Sequence, residues 1–320
     1  MNPLISVILP LYNEPVEFAK SAIDSILNQT YQNIELILLL DNPNNSSLRN
    51  LIIQYKEKDK RVKYNFNEIN LGLPNTLNIG IKLSTGEYIA RMDGDDISDS
   101  RRLEKQIKFL TEHKNIDLLG SDAYAINEDG EIIGKYIKLE KDFSQKFMLK
   151  HASINLIHPT WIGKSEVFKN CMYRNYEHCE DYDFMIRAYA LGYNFYNLKE
   201  MLFYVRVQQK SLRSVSRKNA YEQYINTKRL QKQFKSYLKN RDIKSLDMPE
   251  FNYDMKDKEK YQSTIGLLND LREAFFSKKI VDIVILFIKI AKLDIRPLSF
   301  RLRVLFISKF LFALEKFKIV

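Results

Sequence analysis

Three carboxylates fall within four residues in the stretch Gly86-Glu87-Tyr88-Ile89-Ala90-Arg91-Met92-Asp93-Gly94-Asp95-Asp96. Asp and Glu are rarely buried unless paired or bound to metal, and charges of one sign this close repel. A cation would remove that repulsion. Hard oxygen donors with no His or Cys beside them suit Mg²⁺ or Mn²⁺ better than zinc. The plainer alternative is a solvated acidic turn, with Ser98 or Asp99 capping the next helix. A second acidic pair, Glu180-Asp181, opens a helical pattern, where the helix dipole also favours carboxylates. Cys171 and Cys179 flank His178, so a soft-metal site is conceivable. Two cysteines make no disulfide framework, however, and reduced thiols of a cytosolic protein are the simpler reading.

The elements that must position these groups alternate along the chain. Leu4 to Leu11 is an apolar run of strand length, as expected of a strand covered on both faces. Pro15 suits the first turn of the helix that follows. Strands are expected at 34–40 and 62–66, with helices at 48–55 and 73–83. The strand Tyr88 to Met92 then runs straight into the carboxylates. Strand and helix in alternation predict a mainly parallel α/β sheet, and in such sheets ligands bind beyond the carboxyl ends of the strands. Further on, a helix is expected around 103–110 and a hairpin over 118–137. An extended stretch at 155–161 contains His158-Pro159-Thr160. A helix from Glu180 runs to Leu191, followed by short closing strands at 195–198 and 202–207.

Five motifs in this order resemble those of family 2 glycosyltransferases. They are Pro10-Leu11-Tyr12-Asn13-Glu14, Asp41 at the end of the second strand, Asn70-Leu71-Gly72-Leu73, Gly86-Glu87-Tyr88-Ile89 leading into Asp93-x-Asp95-Asp96, and Glu180-Asp181. His158-Pro159-Thr160 also resembles bacterial members. The likeness covers roughly residues 4–210. It implies the GT-A fold, a Rossmann-like sheet with helices on both faces, and inverting transfer of a sugar from a nucleotide donor to an acceptor hydroxyl. By the same likeness, Asp95 would ligate the divalent ion and Asp93 would face the ribose and the metal site. Pro10, Tyr12, Glu14, Asn70 and Arg206 would border the nucleotide, and Asp41 would accept a hydrogen bond from the base. A carboxylate only accepts, which suits the N–H of uracil and so a UDP-sugar. Asp181 matches the position of the catalytic base, with Glu180 beside it.

The sequence departs from the family at two places. The usual Asp-Asp-Gly-Ser after the second strand is Leu40-Asp41-Asn42-Pro43 here, so one carboxylate is missing and Pro43 stiffens the loop. The Arg-x-His that follows the last strand in many relatives is Arg206-Val207-Gln208. Gln208 offers only a neutral carbonyl oxygen to the metal. Two other classes compete with the glycosyltransferase. A nucleotidyltransferase would want a Gly-rich basic loop after the first strand, and Leu11-Tyr12-Asn13-Glu14 has no Gly. A non-catalytic protein binding through its basic end is the other, but no nucleic-acid-binding motif occurs.

The net charge of +10 is unevenly spread, −4 over residues 1–200 and +14 over residues 201–320. A catalytic domain over 1–212 and a basic helical region over 213–320 are expected. Helices in that region are expected at 216–238, 263–277, 280–292 and 298–318. Arg296, Arg301, Arg303, Lys309, Lys316 and Lys318 crowd the end of the chain among Phe and Leu. A basic helix with a broad apolar face reads as an interfacial anchor. The expectation is a cytoplasmic enzyme, peripheral on an anionic inner membrane face, acting on a growing surface glycan or lipid-linked oligosaccharide. No secretory signal or run long enough to span a membrane is visible.

Overall fold

Every side chain of Ile5–Leu11 (β1) and Ile34–Leu40 (β2) is buried, which is why both read as continuous apolar runs. The computed structural model describes residues 2–176, 178–207, 220–248, 255–277 and 280–316. Val16–Leu27 (α1) joins β1 to β2 and buries Ala19, Ala22, Ile23 and Ile26. Ser46–Lys58 (α2), capped by the Asn45 side chain on the Leu48 amide, leads to Val62–Phe66 (β3). Leu73–Leu83 (α3) then carries the chain back across the sheet to Tyr88–Arg91 (β4). β4 pairs with β1 on the side away from β2. The strand order therefore reverses between β1 and β4, and the crevice at their carboxyl ends is the topological switch point.

The other half of the sheet is mixed. Ile97–Ser98 (β5) and Arg102–Glu112 (α4) are followed by the hairpin Leu118–Ile126 (β6) and Ile132–Tyr136 (β7). Asp142–His151 (α5), Ile162–Lys164 (β8), Ser165–Cys171 (α6), Glu180–Ala190 (α7) and Phe195–Arg206 (β9) complete it. Among the described residues the order is β3-β2-β1-β4-β8-β6-β9-β5, with β7 on β6. This is the GT-A arrangement. Alternate residues of β1 feed two cores. Ile5, Val7, Leu9 and Leu11 face α1, α2 and α4, while Ile8 faces α3 and, further out, α6 and α7.

Several local expectations are corrected. The 155–161 stretch is not extended throughout, because His158–Thr160 closes a 3-10 turn. The two closing strands are one, β9, whose register against β6 shifts near Asp122. Helix α5 gives little apolar signal because two of its four buried residues are Ser144 and Gln145.

Four helices follow: Ala220–Asn240 (α8), Met255–Phe276 (α9), Ile280–Leu293 (α10) and Arg296–Lys316 (α11). α9 starts at Met255 rather than Ser263, since the Lys256-Asp257-Lys258-Glu259-Lys260 run consists largely of good helix formers. Leu230, Phe234 and Tyr237 of α8 belong to the same core as α7. A smaller core joins α8 to α11 through Tyr221, Tyr261, Leu268, Ile290 and Leu298. No helix among the described residues is long and apolar enough to cross a membrane.

Candidate active site

A cavity of about 350 Å³ opens at the switch point, lined by Pro10, Tyr12, Glu14, Asp41, Asn70, Asp93 and Asp95, with Leu11, Gly72, Leu73, Thr76 and Gly94 between them. Residues spread over the first ninety-five positions thus meet in one wall. Arg206 is not in that wall, Glu180 and Asp181 stand outside it, and Gln208 lies outside the described residues.

The loop carrying Asp41 is built by hydrogen bonds to its carboxylate. Asp41 is only 6% exposed and accepts from the amides of Leu71 (2.8 Å) and Gly72 (2.9 Å) and from Asn67 Nδ2 (2.7 Å). A carboxylate has about four lone-pair positions, so these three donors leave one. Gly72 has φ +77, a left-handed conformation that glycine tolerates best. It presents its amide to Asp41 and starts α3. Asn42, where the family has a second carboxylate, instead donates to Asn13 Oδ1 (2.6 Å) and accepts from the Asn44 amide, tying the loop to the end of β1.

At the opposite wall, Gly94 lets the carboxylate loop press onto the end of β1. A Cβ there would sit 2.4 Å from Leu11 Cδ2 and 2.9 Å from the Pro10 carbonyl. Asp93 accepts from both terminal guanidinium nitrogens, Nη1 and Nη2, of Arg91, which is 2% exposed. Asp95 lies beside Asp93 and Glu14. Burial, then those two charges, push its carboxyl up to about 7. Glu14 itself is raised by burial, and its carboxylate accepts from the Tyr12 amide at 2.7 Å. Asp96 is buried as a support and accepts from the Arg206 amide at 2.8 Å.

Arg206 has its guanidinium directed to main chain. It donates to the carbonyls of Asp95 (2.8 Å), Asn127 (3.1 Å) and Glu128 (2.9 Å) and stacks over Phe18, so it fixes the carboxylate loop to the β6–β7 turn.

Glu180 and Asp181 occupy the first turn of α7, both half-buried. Burial and then Asp181 raise Glu180 to about 7, while Arg91 opposes the shift. Asp181 is also raised by burial, held back by the Tyr182 amide and by Arg91. Arg91 thus acts on both the donor-side and the acceptor-side carboxylates. His158 is buried and hydrogen-bonded to Tyr173 Oη at 2.8 Å. Burial and Arg91 hold it well below its ordinary value, so it is neutral. Trp161 is fully buried against His158 and Phe184, a core residue and not a sugar platform. Cys171 and Cys179 are buried thiols, and burial raises Cys171 to about 12, so neither is poised as a ligand.

Among the described residues no group of three His, Cys, Asp or Glu could hold a metal alone. That fits Mg²⁺ or Mn²⁺, which are usually held by one or two carboxylates plus substrate phosphates and water. Asp95, crowded by the charges of Asp93 and Glu14 and in no ion pair among the described residues, is the residue best suited to hold such an ion, with Asp93 next to it.

Arg91, Asn67 and Tyr173 escaped the sequence reading. Arg91 had a signal: an arginine inside an otherwise apolar strand must find a buried partner. Asn67 and Tyr173 had none, because their partners come from distant elements.

The sheet order and the cavity at its switch point define a chain of the GT-A fold. The sequence profile described as Glycosyl transferase family 2 matches residues 6–172. An uncharacterized glycosyltransferase of Methanocaldococcus jannaschii is 37% identical over 230 residues, 70% of this chain and 78% of that protein. The O-antigen biosynthesis glycosyltransferase WbnJ of Escherichia coli is 33% identical over 219 residues, 65% and 81% of the two chains. The fold matches that of S. aureus TarS 1-349 in complex with UDP-GlcNAc, with TM-score 0.55 at 17% identity, over 87% of this chain and 89% of that one. The chain belongs to glycosyltransferase family 2, and its relatives include enzymes of polysaccharide biosynthesis.

Proposed function

We propose that the protein transfers a hexose or N-acetylhexosamine from a UDP-sugar, with inversion, to a hydroxyl of a growing surface glycan or lipid-linked oligosaccharide. The observation that carries this reading is the single cavity bounded by both Asp41 and Asp95. One end is suited to a base N–H and the other to a diphosphate with its cation. The UDP-GlcNAc complex of TarS, which shares the fold, supports the choice of donor.

A Mn²⁺ or Mg²⁺ ion held by Asp95 and Asp93 would offset the charge that develops on the departing diphosphate. Arg91 holds Asp93 in place through its two hydrogen bonds. Tyr12, Glu14 and Asn70 border the nucleotide, and Arg206 holds the loop that presents Asp95. On the acceptor side Asp181 takes the proton of the attacking hydroxyl, as a base opposite the leaving group must. Glu180 stands beside it. The protein would act at the cytoplasmic face of a membrane, where lipid-carried acceptors are found.

The experiment is nucleotide release from a panel of UDP-, GDP-, ADP- and dTDP-sugars, with free nucleotides as competitors. UDP-sugars should be turned over and UDP should inhibit best. A clear preference for GDP-sugars would overturn the choice of donor.

A further inference from the structure

We propose that the outward face of α11, with the lysines that α5 and α8 bring to its first half, docks on the surface of an anionic lipid bilayer. The opposite face of α11 is committed to the protein. Leu311 is fully buried against Leu139, Met148 and Ala152, with Val304, Ile307 and Phe312 packed around it. The Glu315 carboxylate accepts from the main-chain amides of Glu140 and Lys141, each at 3.0 Å, at the start of α5. The helix is therefore held in one orientation.

That orientation turns Leu302, Leu305, Phe306 and Phe310 outward, 51%, 51%, 74% and 51% exposed. Arg303 and Lys309 lie exposed among them. Ile285, Phe287 and Ile288 of α10 are exposed as well. An exposed patch of large apolar side chains with cations among them offers an anionic lipid surface both apolar and charge contacts. Arg296 takes no part, because Asp257 and Asp294 pair with it.

Cations from two other helices gather beside this face. Lys228 of α8 stands 5.6 Å from the centres of both the Tyr224 and Phe300 rings, and the Arg303 guanidinium stands 5.8 Å from the same Phe300 ring. Lys150, in the last turn of α5, lies over Tyr189 at 5.4 Å. The charges bearing on His151 are those of Lys150, Lys235 and Arg303; those bearing on Lys228 are Arg303 and Lys235. All are cations. Burial and then these charges lower both groups, as expected where like charge gathers. An anionic surface supplies the compensation, and its acyl region takes the apolar side chains. A second copy of the chain fits worse, since a two-fold interface would set this basic cluster against itself.

The inference rests on the lipid-carried acceptor only for its purpose, and binding is measurable without sugar transfer. The test is co-sedimentation of the full chain with vesicles of phosphatidylcholine alone or mixed equally with phosphatidylglycerol. The wild type should pellet with the mixed vesicles and stay soluble with the neutral ones. Each Lys or Arg near an anionic surface contributes about fivefold, so Lys235→Ser with Arg303→Ser should weaken binding roughly 25-fold. Phe306→Ser with Phe310→Ser should also release the protein, and both variants should still release UDP from donor in solution. The proposal is overturned if the wild type ignores mixed vesicles or if both variants bind as it does. It is also overturned if the protein is a dimer that Phe306→Ser with Phe310→Ser dissociates. Vesicle binding without any transfer activity would leave the surface standing and remove the proposed reaction instead.

Discussion

The guanidinium of Arg91, inside β4, closes a two-pronged ion pair on the carboxylate of Asp93, two residues further along the same chain. Arg91 is buried while Asp93 reaches the cavity, so the pair joins a guanidinium in the core to a carboxylate in the cavity wall. Arg91 also acts on Glu180 and Asp181 from behind, which links the two carboxylate groups of the site through one cation.

Arg91→Met should therefore harm both stability and activity. Removing one partner of a buried pair costs about 3–5 kcal/mol, and the water that reaches Asp93 places this case at the lower end. Urea unfolding should show a lower midpoint with an unchanged slope. An unchanged midpoint would mean that the pair is not the buried clamp described.

Asp95→Asn keeps the shape of the loop but removes the charge. Turnover should fall by at least about 10²-fold, on the scale of losing one electrostatic stabiliser of the transition state. The Tm of the unliganded protein should not fall, because the substitution relieves repulsion from Asp93 and Glu14. Wild-type turnover should stop in excess EDTA and return with Mn²⁺ or Mg²⁺. A variant with full activity in EDTA would contradict the metal role.

For the acceptor side, the pH dependence of kcat/KM separates two residues. Burial raises both carboxyls, Glu180 to about 7, so the pair loses its charge as pH falls, and substitution shows which of the two the acidic limb belongs to. With Asp181 as base, the acidic limb survives Glu180→Gln. Asp181→Asn should lose about 10²–10⁴-fold while calorimetry shows UDP binding intact. A limb near pH 7 that disappears in Glu180→Gln, with activity lost, would transfer the role to Glu180.

Asp41→Asn tests how the base is recognised. The variant turns an amide donor toward the amides of Leu71 or Gly72, which now donate to the carboxylate. A buried donor left unpaired costs about 1–3 kcal/mol. UDP should bind more weakly and lose its advantage over GDP as a competitor. Retained selectivity for UDP would remove Asp41 from base recognition.

The motifs at the ends of β1, β2 and β4 were legible because each is a short polar signal ending an apolar run, and parallel topology carries such ends to one edge. Asp41 was legible as a cavity residue, but not as the acceptor that shapes the Asn70-Leu71-Gly72 turn, since its donors come from the main chain and carry no side-chain signature. The family pattern marks Arg206 as a nucleotide contact. Its guanidinium meets three carbonyls from two loops, a surrounding that no spacing along the chain could reveal. In the basic region, the sequence showed the cations of α11 but not which remain uncommitted. Pairing of Arg296 and convergence of Lys228 and Arg303 on one Phe300 ring depend on how the helices pack.

The central claim is that Asp95, through a divalent cation, holds the diphosphate of a uridine nucleotide in the cavity at the β1–β4 switch point. Calorimetric titration of UDP into the wild type and into Asp95→Asn, each with Mn²⁺ and again in EDTA, tests it most directly. The account predicts tight binding only for the wild type with Mn²⁺, and weak binding in the other three cases. Equal affinity in all four would contradict it.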